Sequence, residues 1–143
     1  MNDVIDLLAG ECPALGLADA EHAPVRARGV NATIVYRPTP GERRPLEVLL
    51  AIVTARHWHT GLNRAGAFGA YCPRALMLGK EPADISWAAV EADLYRIGLI
   101  AAGRLLVAPE PFGQRAYSPA GDRFVDSIHR QVRQTCEREG VQA

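Results

Sequence analysis

In LEVLLAIVTARHW, Leu46 to Trp58, bulky side chains recur at Leu46, Leu49, Leu50, Val53 and His57. These positions follow i, i+3, i+4, i+7 and i+11, which places them on one face of a helix. Pro45 stands just ahead, where a first helical turn accepts a residue without an N–H. The spacing therefore predicts a helix over 46–58, and the elements downstream are read in relation to it.

TGLNRAGAFGAY, residues 60–71, holds three glycines and has no firm period. Pro73 is expected to open a short helix that runs to Leu78 and is ended by Gly79. Lys80 to Ile85 contains Pro82 and reads as a turn. Ser86 then caps a helix, SWAAVEADLYRIGLI, with Trp87, Val90, Leu94 and Ile97 on its apolar face and Gly98 at its end. RLLVA and QRAY are two short strands, joined by PEPFG as a hairpin tip. In RAYSPAGDRF, Arg115 to Phe124, Ser118 is placed to accept from a free helix N–H. Pro119 suits the first helical position, and Asp122 sits near the positive end of the helix dipole. FVDSIHRQVRQTC follows, amphipathic, with Phe124, Val125, Ile128, Val132 and Cys136 sharing a face.

Upstream, DVIDLLA at residues 3–9 reads as a short helix. Residues 10–27 look like a loop or an irregular arm. VNATIVYR, Val30 to Arg37, is a strand by its β-branched and aromatic content, and PTPGERRP breaks the chain after it.

The chain's 143 residues fit one domain with a small appendage, and 48% apolar residues supply a core. No run reaches the roughly 20 apolar residues of a membrane span. MNDVIDLLAG carries acids where a secretion signal carries Lys or Arg. Cys12, Cys72 and Cys136 are odd in number and far apart, which suits reduced thiols and a cytoplasmic location. Fifteen Arg against one Lys, with abundant Ala, suggests a GC-rich bacterial or phage coding sequence. Net charge is zero, yet residues 1–25 carry −5, residues 26–80 carry +7 and residues 81–143 carry −2. A basic middle attracts an anionic partner.

Two short motifs point to a family. VEADLYRIGLI is similar to the second helix of a helix-turn-helix running into its exit, and RAYSPAGDRFVDSI resembles the closing wing strand and following helix of MarR- and PadR-type regulators. Residues 46–138 thus resemble a winged helix-turn-helix domain. The implied fold is α+β, with residues 1–45 as an acidic N-terminal arm of helix and strand and residues 46–143 as the winged domain. The resemblance implies a DNA-binding transcriptional regulator, homodimeric through the helix after the wing, unless that helix packs on its own core.

In such a domain the motif's second helix reads the major groove and the wing follows phosphates. The implied duplex contacts are Arg64, Arg74, Lys80, Ser86, Arg96, Arg104 and Arg115, with Arg96 reading bases and Arg43 and Arg44 adding to a cationic rim. Glu91 and Asp93 on the reading helix oppose a phosphate surface. They favour the alternative of a protein-interaction module, an adaptor or inhibitor bound to a protein partner.

An enzyme is not expected, nor a cofactor or metal. His57 and His59 in RHWHTG diverge on a helix, and His22 and Cys72 are remote in sequence. A cationic His57 is expected to suit the C-terminal end of helix 46–58. Gly61, Gly66 and Gly69 make no phosphate loop. Cys72 before Pro73 has no assignable base. Trp58, Phe68, Tyr71 and Trp87 either line a ligand pocket between helices or pack in the core, and core packing is the simpler account.

Overall fold

The computed structural model describes residues 1–111 and 118–138. Its centre is a six-stranded mixed sheet whose strands lie side by side in chain order. These are β1 (Glu21–Ala27), β2 (Val30–Pro38), β3 (Leu46–Ala55), β4 (Arg74–Leu78), β5 (Gly98–Ala101) and β6 (Arg104–Val107). β1, β2 and β3 form an antiparallel meander, β3, β4 and β5 run parallel, and β6 turns back against β5. Helices α2 (Trp58–Gly66) and α3 (Ile85–Leu94) make the two parallel crossovers. Together with α4 (Pro119–Arg138) they cover one face of the sheet. α1 (Asn2–Glu11) and the single turn Pro13–Leu15 cover the other. The protein is α+β.

The helix expected over 46–58 is therefore a strand. Its apolar residues do not line one face. Ala51 and Val53 point into the cluster beneath α2, α3 and α4, while Leu50 and Ile52 point into the cluster beneath α1. A strand covered on both faces reads as a nearly continuous apolar run. The helical spacing arises from a bulge. Val35 pairs with Leu50 and Tyr36 with Val48, so Leu49 is the extra residue and joins Leu50 in the α1 cluster. The helix expected over 73–78 is likewise strand β4, with Leu76 and Leu78 on one face and Ala75 and Met77 on the other. Ala, Leu and Met favour helices in isolation, but a slot between β3 and β5 overrides that preference.

Residues 10–27, expected to be irregular, contain β1. Pro24 disguises it, yet β1 is an edge strand, where a missing N–H is tolerated. At Arg26 the outer edge of β1 is met by Gln131 of α4. Its side chain accepts from the Arg26 backbone N–H at 2.7 Å and donates to the Arg26 carbonyl at 2.8 Å. An open strand edge invites pairing with another chain, and at Arg26 this amide takes up the outward N–H and C=O that such a neighbour would use. The boundary drawn at residue 45 falls in the β2–β3 hairpin, and residues 1–45 contribute two strands of the common sheet.

Several local readings hold. Helix 3–9 is the core of α1, strand 30–37 is β2, and the helix over 86–97 is α3, shorter at its end. Ser118 Oγ accepts from the Gly121 N–H at 3.0 Å, Pro119 is the first residue of α4, and Asp122 lies in its first turn. The stripe Phe124, Val125, Ile128 and Val132 is buried on the chain's own sheet and is not left open as a dimer seam. The second wing strand, QRAY, lies outside the described residues. Glycine also has a visible purpose at Gly61, where any Cβ would run into Leu76 and Ala55. α2 lies that close to β3 and β4.

Asp122 joins the meander to α4. Arg43 donates to one carboxylate oxygen at 2.8 Å and Arg44 to the other at 2.9 Å. These hydrogen bonds hold the Asp122 carboxyl below its ordinary range. A carboxyl depressed on folding contributes stability that is present above its unfolded pKa and is lost as pH falls through the folded value. Asp122→Asn is expected to lower the melting temperature by a few degrees at neutral pH. The gap between variant and parent should close as the pH is lowered below the carboxylate range. Melting curves across that range check it.

Candidate functional site

α3 holds the feature that the sequence suggested least. Its sheet-facing side is built from small residues, with Ala88 and Ala92 fully buried and Ile85 and Ala89 packed beside them. The large residues point outward. Trp87 is 68% exposed, Val90 60%, Leu94 70% and Tyr95, just past the helix, 55%. The face expected to be core is thus the open one. The misreading followed from size: Trp, Val and Leu outweigh Ala in any hydrophobic pattern, although Ala is the residue that lets a helix lie close to a sheet. A helix that is apolar all round belongs in an interior, and this one is covered on one side only.

The outward residues form a ridge two turns long, at i, i+3 and i+7, extended by Tyr95. Fully burying one large apolar side chain is worth 1.5–3 kcal/mol, so covering these four would gain about 4–8 kcal/mol at their observed exposure. Glu91 borders the ridge on the side of α2. There a cavity of about 240 Å³ opens between the two helices, lined by His59, Leu62, Asn63, Arg74, Glu91 and Tyr95. Arg74 donates to the Tyr95 carbonyl at 2.9 Å and so ties the start of β4 to the end of α3.

The cationic residues read as a duplex-binding rim fall into two groups. Lys80 and Arg104 stand at the edge where the parallel strands end. The register there runs Ala55, Leu78, Ala101 and Arg104, with Arg56 next to Ala55. Arg104 lies 3.8 Å from Glu81. Arg64 near the end of α2, Arg74 at the start of β4 and Arg96 ahead of β5 belong to the opposite end of the same layers. Arg96 is ion-paired with Glu110. Ser86 is exposed near the start of α3, where Asp84 and not Ser86 occupies the cap position. Arg115 lies outside the described residues. Arg43 and Arg44, in the β2–β3 connection, are engaged with Asp122 of α4.

No family model, curated protein or solved structure matches the chain.

The residues considered for chemistry stay apart. His57 is the cap residue at the start of α2, the opposite end of a helix from the one expected. His59 stacks on Trp58, with ring centres 3.6 Å apart. His22 shares a hydrogen bond with the Asn2 side chain. Cys72 is fully buried, and burial followed by the charge of Glu11 pushes the Cys12 thiol up, away from the reactive thiolate. Among the described residues no three His, Cys, Asp or Glu side chains are placed to hold a metal ion. Phe68 and Tyr71 pack against Phe124, Trp58 is buried, and Trp87 stands apart from all of them at the surface. No described helix is long and apolar enough to cross a membrane.

Proposed function

We propose that this chain is a protein-interaction module that docks through the outward face of α3. The observation that carries this reading is the ridge of Trp87, Val90, Leu94 and Tyr95, exposed on a helix that already has a buried face. Interfaces concentrate their energy in aromatic and large apolar side chains that a partner desolvates, and the acids Glu91 and Asp93 beside the ridge suit a protein partner better than phosphates. An adaptor or inhibitor acts by occupying such a partner, and requires no catalytic group of its own.

Duplex DNA binding by a winged-helix regulator is the second reading. It draws on the cationic edge of Arg56, Lys80 and Arg104, and on α3 and α4, which stand where the resemblance expects the reading helix and the helix after the wing. It has less support, because Arg64, Arg74 and Arg96 lie at the far end of the helices and Arg43, Arg44 and Arg96 are held by carboxylates.

The two readings separate in one comparison. Leu94→Asp is expected to leave the melting temperature within a few degrees of the parent, since Leu94 contributes little to the core, and to abolish the complex with the protein partner. Arg104→Glu is expected to leave that complex intact. Steeply salt-dependent duplex binding lost in Arg104→Glu and kept in Leu94→Asp would favour the second reading.

A further inference from the structure

We infer that the cleft between the β1–β2 turn and the start of α4 binds a small phosphomonoester, with its phosphate between Arg28 and Arg123 and its apolar body against Tyr71 and Phe124. The inference is independent of the reading of α3.

Three remote stretches of chain meet at this cleft. A cavity of about 280 Å³ is lined by Arg28 of the turn, Tyr71 of the α2–β4 connection, and Ala120, Arg123, Phe124 and Ser127 of α4. Among the described residues no carboxylate lines it. Asp122, next to Arg123 in sequence, is held by Arg43 and Arg44. Arg43, Arg44, Arg96 and Arg104 each have an acid within 4.0 Å, whereas among the described residues Arg28 and Arg123 have none. Two guanidiniums on one cavity with no acid beside them make it complementary to an anion. The first turn of α4 adds the positive end of a helix 20 residues long.

Arg28 is not there for the turn. Ala27 pairs with Val30, so Arg28 (φ 55) and Gly29 (φ 74) are the two central residues, both left-handed. Asn-Gly suits such a turn best, and an arginine in that conformation is strained. Its side chain reaches across to Tyr71, with the guanidinium carbon 5.6 Å from the ring centre. Ser127 Oγ accepts from the Gln131 amide at 3.3 Å, which leaves its own hydrogen for a ligand oxygen. Tyr71 and Phe124, stacked with ring centres 4.5 Å apart, supply an apolar wall.

The charge and the volume select the ligand. Two guanidiniums match a phosphomonoester, which carries close to two negative charges above its second pKa of about 6, better than a carboxylate, which carries one. The cavity is smaller than most drug-sized sites, which begin near about 300 Å³. It suits a phosphate with a body no larger than a single ring.

Isothermal titration of the full chain with phenyl phosphate, at low salt and about pH 7.5, measures the binding. Saturation at one site per chain is expected, with a Kd near about 1 mM or below. Arg28→Asn and Arg123→Gln should each weaken it by roughly 10-fold or more, and Arg28→Asn, which suits the turn, should keep the melting temperature of the parent. Arg138→Gln, at the far end of α4, should change neither. Affinity should fall as the pH drops through about 6, where the ester takes up a proton. Inorganic phosphate, which lacks the ring, should bind several-fold more weakly. A capped phosphotyrosine peptide that binds more tightly than phenyl phosphate would place the ester on a polypeptide, and one that binds more weakly would assign a free small molecule. No saturation by about 10 mM phenyl phosphate, or binding in folded Arg28→Asn and Arg123→Gln equal to that in Arg138→Gln, overturns the inference.

Discussion

Ala51→Asp is expected to destabilise the protein severely. Ala51 is fully buried in β3, facing the layer of α2, α3 and α4, with Arg74 of β4 as its cross-strand neighbour, a guanidinium that already donates to the Tyr95 carbonyl. A carboxylate buried there loses its hydration, and drawing Arg74 away from Tyr95 repays only part of that, so the cost is expected to exceed about 3 kcal/mol. That is a large part of the 5–15 kcal/mol that holds a domain of this size together. The variant tests the assignment of β3 directly. On a helix over 46–58, position 51 lies opposite the stripe of Leu46, Leu50 and Val53, so an aspartate there would face water and be nearly neutral. Thr54→Asp is the matched control, because Thr54 is exposed near the end of the same strand. Urea titration followed by far-ultraviolet circular dichroism distinguishes the outcomes. A cooperative transition in Ala51→Asp close to that of the parent would remove β3 from the centre of the sheet.

Phe68→Ala is expected to cost about 3–5 kcal/mol. Phe68 follows α2, is fully buried, and meets Phe124 of α4 edge-on with ring centres 6.1 Å apart. Tyr71 stacks on the same Phe124 at 4.5 Å. Three rings thus join the α2–β4 connection to the start of α4. Truncation opens a cavity that backbone on several sides keeps from collapsing. For a chain near 150 residues the loss corresponds to a fall of roughly 10–15 °C in melting temperature. Amide exchange should rise first in α4, which depends on this contact and on the Asp122 pair to stay against β1 and β3. A cost under about 1 kcal/mol would mean that the connection packs differently.

What could be read from the sequence was what local chemistry decides. Ser118, Pro119 and Asp122 fix the start of α4 without reference to anything distant, and α4 begins there. The β-branched run of β2 is a strand on its own terms. The failures share a cause in tertiary context. Leu49 and Leu50 imitate a helical repeat only because a bulge buries both on one face, and a bulge is set by the partner strand. Arg-Ala-Leu-Met-Leu becomes β4 because β3 and β5 flank it. Pro24 hides an edge strand whose edge status depends on the order of the whole sheet. The candidate site was obscured in the same way. Trp87, Val90 and Leu94 were grouped on one face of α3, as they are. Which face meets the sheet was decided by Ala88 and Ala92, whose small side chains carry little weight in a pattern and much in a close contact.

The most direct test of the account is site-specific cross-linking from α3. A photoreactive residue placed at Leu94, and separately at Asp126 on the exposed side of α4, is irradiated in the producing cell. The account predicts one discrete adduct from position 94 and none from position 126, with a mass that reports a second copy of the chain or another protein. No adduct from position 94, or the same adducts from both positions, would contradict the assignment of α3 as the docking face.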